Sequence, residues 1–176
     1  MSGPSSHLLD RDGVIQAFTL LAERLHRRGV VADVYIVGGA AMTLAYDSRR
    51  TTRDIDAVFE PHGVVLEAAR EVARDLGLPP SWLNDQASVY MPRDRRGPEV
   101  FSRPGLRVQS APPEHLLAMK ILAGRRSDAS DVRFLLTLLG VTSVEQALSV
   151  VAAVFPDEPV DDRRRAILTE ALDIDA

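Results

Sequence analysis

The chain contains no cysteine, which excludes disulfide bonds, a thiolate nucleophile and a zinc site with thiolate ligands. Aromatic residues make up only 5% of the sequence, yet apolar residues make up 45%, which is enough for a normal core. The formal net charge of −4 gives no overall basic character of the kind that indicates nucleic-acid binding. No apolar run approaches the roughly 20 residues that cross a bilayer, and the start, MSGPSSHLLDRDG, lacks the features of a signal peptide. We therefore expect a cytoplasmic, soluble protein that does not contact a membrane.

The predicted elements run from one helix through mixed strands and helices to four consecutive helices. Asp12 is predicted to cap the first helix, the segment 81–84 to form a helical turn, and Ser127 to cap a later helix. Strands are predicted at 34–37, 55–59, 99–102 and 106–110. We expect an α+β fold, with a mixed sheet flanked by helices and a helical C-terminal half. Residues 1–111 would form the α+β part and residues 112–176 the helical part, and the two would share one core.

The most informative segment is the stretch 34–59, which reads VYIVGGAAMTLAYDSRRTTRDIDAVF. An apolar strand ends in Gly38-Gly39, a short helix follows, and Asp54 and Asp56 then stand one residue apart in a second apolar run. Residues i and i+2 of a strand point to the same face, so the carboxylates would project side by side about 7 Å apart. Two such anions repel each other unless a cation lies between them. This pattern predicts a Mg²⁺ site and, with it, phosphate chemistry.

A second group of polar residues lies downstream, in the segment KILAGRRSDASD at 120–131. Lys120 and Asp131 fall on adjacent predicted helices. Lys120 is also compatible with a surface lysine whose stem covers apolar neighbours. Asp131 is compatible with a helix cap or with an ion pair to a nearby arginine. Asp128 is better explained as a first-turn acid favoured by the helix dipole.

This combination of motifs resembles the nucleotidyltransferase superfamily of the DNA-polymerase-beta type. It consists of the first strand, the Gly-Gly turn, the strand with Asp-x-Asp, and the Lys120/Asp131 pair. Within this superfamily, the chain is similar to the compact bacterial branch that contains AbiE-system and MenT-type toxins. The resemblance spans residues 34–139 and implies transfer of a nucleoside monophosphate from a nucleoside triphosphate to an acceptor hydroxyl. It also implies Mg²⁺, an RNA acceptor such as the 3′ end of tRNA, and an antitoxin protein as partner.

The resemblance assigns roles to particular residues. Asp54 and Asp56 would hold the metal, Lys120 would bind the triphosphate, and Asp131 would orient Lys120 or act as a third carboxylate. The candidate nucleotide-binding residues are Gly38, Gly39, Ser48, Thr52, Arg53 and Lys120. Arginines at 49, 50, 53, 93, 95, 96, 125 and 126 form basic loops that could contact RNA, although solvated surface charges need no function.

Two departures from the family pattern keep alternatives open. Many relatives have serine where this chain has Gly39, so a phosphate contact would come from the backbone or from the hydroxyl of Ser48 or Thr52. The third acid of the polymerase-like members has no clear counterpart, because the last predicted strand offers only Gln109. The alternatives are transfer to a small molecule, as in aminoglycoside nucleotidyltransferases, and a non-catalytic binding module on the same fold.

Overall fold

A computed structural model of the chain describes residues 8–47, 50–86, 91 and 94–173. The chain divides into two compact units. The first comprises Met1–Met91 and Arg95–Ala111, and the second comprises Pro92–Asp94 and Pro112–Ala176. Ser48, Arg49 and Arg93, which the sequence places in candidate loops, lie outside the described residues.

The first unit is built on a five-stranded mixed sheet, which confirms the predicted α+β class. The strands are β1 (Ala32–Ile36), β2 (Ile55–Glu60), β3 (Leu83–Asn84), β4 (Glu99–Arg103) and β5 (Leu106–Ser110), and their order is β3-β2-β1-β5-β4. The central strand β1 is antiparallel to β2 and parallel to β5. β3 pairs in parallel with β2, and β4 and β5 form an antiparallel hairpin. The predicted turn at Pro104-Gly105 joins that hairpin.

Among the elements that the structure describes in full, three helical segments accompany the sheet in this unit. They are α1 (Arg11–Arg27), the short α2 (Gly38–Ala41), which continues as a π-helix over Met42–Tyr46, and α3 (His62–Leu76). The apolar residues of α1 and α3 recur at helical spacing and are buried. The ring of Phe18 on α1 lies 6.2 Å from that of Trp82 and 5.7 Å from that of Phe101. Phe18, Trp82 and Phe101 therefore form an aromatic cluster between α1 and the sheet.

One face of the strand β2 is buried, and its other face is more open. Ile55, Ala57 and Phe59 are fully buried, whereas Asp56 and Val58 are half-buried and Glu60 is exposed. Because side chains alternate along a strand, Asp56, Val58 and Glu60 share the open face. This alternation places a carboxylate beside the core without burying it completely.

The second unit consists of four helices that contact one another. They are α4 (Pro113–Ala123), α5 (Ala129–Leu139), α6 (Val144–Val154) and α7 (Asp162–Asp173). A turn of 3₁₀ helix, Arg126–Asp128, precedes α5. Pro113 stands at the first position of α4, where its missing N–H costs nothing. The predicted helical C-terminal half is present.

Three local predictions were wrong. Asp10, not Asp12, caps α1, and its Oδ1 accepts a hydrogen bond of 2.8 Å from the Gly13 N–H. The segment predicted as a helical turn contains the short strand β3, which two residues without visible periodicity could not reveal. Asp128, not Ser127, occupies the N-cap position of α5, because the 3₁₀ turn shifts the helix start.

No single described helix is long and apolar enough to span a membrane. Two segments reach that length and hydropathy only together, Arg126–Leu139 and Val144–Val154, and the chain bends by 92° between them.

Candidate functional site

The Gly38-Gly39 turn lies directly beside the carboxylate of Asp56. The Val37 N–H donates a hydrogen bond of 2.9 Å to the Asp56 carbonyl, which ties the end of β1 to β2. Gly38 adopts a left-handed conformation with φ +63°, which disfavours any residue with a Cβ. A Cβ built on Gly38 would lie 3.5 Å from Asp56 Oδ2. The chain therefore turns from strand into helix with bare backbone against a carboxylate.

This turn leads into the first turn of α2, where N–H groups have no acceptor inside the helix. Bare backbone and helix-start N–H groups are the features that allow phosphate oxygens to approach closely. The carboxylate of Asp56 next to them is a hard oxygen ligand of the type that Mg²⁺ prefers.

The two acids differ in their surroundings. Asp54 is exposed and lies in a bend before β2, whereas Asp56 is half-buried and lies within β2. The expectation that both project from one regular strand is therefore wrong for Asp54. In the part of the chain that the structure describes, no three His, Asp or Glu side chains are grouped closely enough to hold a metal ion. A metal at Asp54 and Asp56 would need water or substrate oxygens to complete its coordination.

Thr52 fills the space above Gly39. A Cβ built on Gly39 would lie 2.8 Å from Thr52 Oγ1 and 3.4 Å from its Cβ. The hydroxyl of Thr52 donates a hydrogen bond of 2.8 Å to the Asp54 carbonyl, and its backbone exchanges hydrogen bonds of 2.7 and 2.8 Å with Leu9. Thr52 thus stands between the glycine turn and the acidic segment. Its predicted contact with phosphate would require the hydroxyl to leave the Asp54 carbonyl.

Asn84 is a neighbour of this site that the sequence did not reveal. It stands opposite Asp56 in the parallel pairing of β3 with β2, and it is buried. Strands pair at about 4.8 Å, so the two residues are adjacent on the sheet. The Asn84 Oδ1 accepts a hydrogen bond of 3.1 Å from the Gln86 N–H. The only feature of the sequence that pointed to Asn84 was its place directly after the apolar pair Trp82-Leu83.

Among the candidate arginines of this region, Arg50 and Arg53 have different surroundings. Arg50 Nε lies 3.3 Å from Asp47 Oδ2, which engages it locally. Arg53 is exposed, and no described residue forms an ion pair with it. Arg53 is therefore the better placed of the two to meet a phosphate from solvent.

A groove of about 260 Å³ runs over the open face of the sheet, on the same face as Asp56. Its walls include Tyr35, Val58, Arg95 and Gln109. At its side Arg107 donates hydrogen bonds of 2.9 and 3.1 Å to the two carboxylate oxygens of Asp33. The groove is large enough for a small organic group, although neither Asp54 nor Asp56 is among its lining residues.

In the second unit, Lys120 lies between two carboxylates. Its Nζ is 2.6 Å from Asp131 Oδ2 and 3.1 Å from Asp128 Oδ1. Only 11% of the Lys120 side chain is exposed, against 14% for Asp131 and 20% for Asp128. Asp131 would need this contact in order to orient the Lys120 ammonium. The contribution of Asp128 was not predicted, because its position resembles that of an ordinary helix-capping acid.

Lys120 is the only lysine in the chain. It stands in the last turn of α4, while its partners stand at the start of α5. The Asp128 side chain makes no capping hydrogen bond to α5, so its carboxylate faces the lysine instead. One cation and two anions leave this cluster with a formal charge of −1.

His115 lies on α4, five residues before Lys120, and is half-buried. Burial lowers the pKa of His115 below its ordinary value, because the charged imidazolium loses contact with water. The neighbouring carboxylates of Glu114 and Asp94 act in the opposite direction and raise the pKa. Burial is the larger effect, so His115 favours the neutral form in the folded protein.

The structure thus brings some of the predicted residues together within each unit, whereas Asp54 and Arg53 are exposed and Ser48 lies outside the described residues. Gly38, Gly39, Thr52 and Asp56 form one group, and Lys120 and Asp131 form another with Asp128. Their roles in binding or catalysis stay predictions.

A comparison with protein-family models gives a match over most of the chain. Residues 14–154 match the model of the family described as "Nucleotidyltransferase of unknown function (DUF6036)". No curated protein and no solved structure is significantly similar to the chain. The matched region includes the glycine turn, both acids, Lys120 and Asp131. Because it covers most of the chain, the protein belongs to this family of nucleotidyltransferases.

Proposed function

We propose that the protein transfers a nucleoside monophosphate from a nucleoside triphosphate to an acceptor hydroxyl, with Mg²⁺ as cofactor. The observation that carries the proposal is the contact between the bare Gly38 turn and the carboxylate of Asp56. Here backbone without a side chain lies beside a carboxylate of the type that binds Mg²⁺. Membership of a nucleotidyltransferase family supports the same reaction class.

In this reaction the acceptor oxygen forms a bond to the α-phosphorus, the bond to the bridging oxygen breaks, and pyrophosphate leaves. The acceptor proton passes to a carboxylate of the acid pair or to water. Mg²⁺, when bound, neutralises charge on the triphosphate and makes the acceptor hydroxyl more acidic. Asp54 and Asp56 would hold it, since carboxylate oxygens suit its coordination.

The other residues position the triphosphate. The backbone N–H groups at the start of α2 would donate to phosphate oxygens, and exposed Arg53 would add positive charge. We further propose that Lys120 contributes charge toward the triphosphate and that Asp131 holds its ammonium in place. In that role Lys120 exchanges at least one carboxylate partner for a phosphate.

The proposed acceptor is RNA, with the 3′ end of tRNA as the first candidate, and the proposed setting is a toxin neutralised by an antitoxin protein. Resemblance to the AbiE and MenT branch is the basis for both. The exposed arginines Arg95, Arg96, Arg125 and Arg126 provide cationic loops of the kind that bind a phosphate backbone.

Specific observations favour two other candidates. The groove on the same face of β2 as Asp56 could hold a small acceptor, as in aminoglycoside nucleotidyltransferases. The two ion pairs of Lys120 satisfy the lysine without a ligand, which favours a non-catalytic binding module.

Label transfer distinguishes these functions. The protein is incubated with Mg²⁺ and each nucleoside triphosphate labelled at the α-phosphate. Total RNA, a panel of aminoglycosides, or no acceptor is added in separate reactions. We expect label in the RNA fraction, at the 3′ end of tRNA, and none after EDTA or in Asp56→Asn.

If only the aminoglycoside fraction is labelled, the acceptor is a small molecule and not RNA. If no triphosphate gives label in any fraction, the protein is not a nucleotidyltransferase and the binding-module alternative takes its place.

A further inference from the structure

A cavity of about 350 Å³ in the second unit is not used by the proposed function. It lies where α5, the α5–α6 connection and α7 meet, and we call it the Arg133 cavity. Its walls include Arg133, Leu136, Val141, Thr142, Ala171 and Leu172. Its volume falls in the range of small-ligand sites, which are typically apolar with few polar groups.

Arg133 is the only charged residue among the lining residues of this cavity, and its guanidinium is incompletely satisfied. The Arg133 Nε is buried and has no hydrogen-bond partner among the described residues. No described residue forms an ion pair with Arg133 either. The two terminal nitrogens of Arg133 make no hydrogen bond to a described residue and, unlike Nε, are not among the buried atoms. They can therefore donate to an anion in the cavity that Arg133 lines.

The other polar groups around the cavity are already engaged. The N–H groups of Gly140 and Val141 donate to carbonyls of α5, and the Thr142 N–H donates to Gln146 Oε1. The hydroxyl of Thr137 donates to the Arg133 carbonyl, and that of Thr142 donates to Gln146 Oε1. The ligand anion therefore has a single recognition group, the guanidinium of Arg133.

These properties define the ligand class. One guanidinium can pair with a carboxylate or with a phosphate. It can engage both oxygens of a carboxylate, whereas the remaining oxygen of a phosphate would find no free donor among the other polar groups around this cavity. The leucine, valine and alanine walls match an apolar body. We propose that the Arg133 cavity binds a small carboxylate with a compact apolar body, oriented by charge-assisted hydrogen bonds from the terminal nitrogens of the Arg133 guanidinium. This site is independent of the nucleotidyl transfer proposed above.

The probes are hexanoate, cyclohexanecarboxylate and 2-naphthoate, each paired with its neutral carboxamide. Binding to the full chain is followed by two-dimensional ¹H–¹⁵N NMR, in which arginine Nε–H signals are resolved. At least one carboxylate should shift the Arg133 Nε–H signal saturably, while its carboxamide binds at least about tenfold more weakly.

Arg133→Gln should weaken binding of that carboxylate by at least about tenfold, while Arg133→Lys, which keeps the charge, should lose less. Arg163→Gln is the matched control, because it removes the same charge from an exposed position on α7. Thermal unfolding of each variant shows that the fold is intact.

Three outcomes would overturn the proposal: no saturable shift with any of the three carboxylates, equal affinity for acid and amide, or binding unchanged in Arg133→Gln. The last two outcomes would make the cavity an apolar site without charge recognition.

Discussion

Gly39 and Thr52 share one small volume. The backbone of Gly39 is helical, so a side chain at this position is limited only by space, and that space holds the Thr52 hydroxyl. A residue with a Cβ must displace an oxygen that would lie 2.8 Å away. In this chain, Thr52 therefore occupies the space that a serine side chain at position 39 would need.

Gly39→Ser should destabilise the protein by about 1–3 kcal/mol, the usual cost of overpacking. Thr52→Ala alone should cost about 1 kcal/mol through the lost hydrogen bond to the Asp54 carbonyl. In the double variant the serine has room, since the remaining Cβ lies 3.4 Å from the new one. Urea unfolding should show the double variant to be more stable than Gly39→Ser alone.

Additive losses in this double-mutant cycle would show that the two residues do not compete for space. Gly63→Ser offers a control for glycine replacement in a helix, because a Cβ built there meets no atom within 4 Å.

The helices α4 and α5 are joined by the Lys120 cluster. Removing the ammonium leaves two carboxylates close together and largely shielded from water, which is unfavourable. Lys120→Met should therefore lower the free energy of unfolding by roughly 1–3 kcal/mol. Arg125→Met is the matched control, because Arg125 is an exposed cation in the same connection.

The triple variant Lys120→Met, Asp128→Asn, Asp131→Asn removes both the cation and the anions and should recover part of the lost stability. Chemical unfolding followed by circular dichroism gives the free energy of unfolding of the wild-type protein, of Lys120→Met, of Arg125→Met and of the triple variant. If Lys120→Met is as stable as Arg125→Met, the ion pairs do not hold α4 and α5 together.

The elements were predictable to different degrees. The strands β1, β2, β4 and β5 follow from apolar runs bounded by glycine, proline and charged residues, and α1 and α3 follow from their 3.6-residue periodicity. The strand β3 was missed because Leu83 and Asn84 are too short a segment for alternation to show. The cap of α1 was misplaced because Asp10 and Asp12 both have the right chemistry, and only the turn geometry selects Asp10.

The candidate site was predictable in its residue types but not in its contacts. Gly38, Gly39 and Asp56 stood out because bare backbone and an acid interrupt apolar runs. Nothing in the sequence shows that Thr52 covers Gly39, that Asn84 stands beside Asp56, or that Asp128 joins Lys120. These contacts depend on how distant segments pack, which one sequence does not reveal.

His115 links the stability of the whole protein to pH. Its pKa is lowered in the folded state, so below its ordinary value of 6.5 the unfolded chain binds more protons. The stabilising contribution of neutral His115 is therefore complete above pH 6.5 and is lost as pH falls below that value. His115→Gln should flatten the fall in the free energy of unfolding just below pH 6.5.

Urea unfolding of the wild-type protein and His115→Gln over this pH range provides the measurement. Parallel profiles for the two proteins would contradict the assignment of this pH dependence to His115.

The central claim is that Mg²⁺-dependent nucleotidyl transfer by this protein requires Asp56, the acid beside the glycine turn. The rate of α-phosphate label transfer tests this claim directly. The comparison is between Asp56→Asn and Glu67→Gln, which each remove one carboxylate charge from the first unit. Glu67 is exposed on α3 and is not among the residues that line the groove. We predict that Asp56→Asn loses at least about a hundredfold in rate, since metal stabilisation is worth several kcal/mol. Glu67→Gln should keep the wild-type rate. Equal rates in the two variants would contradict the account.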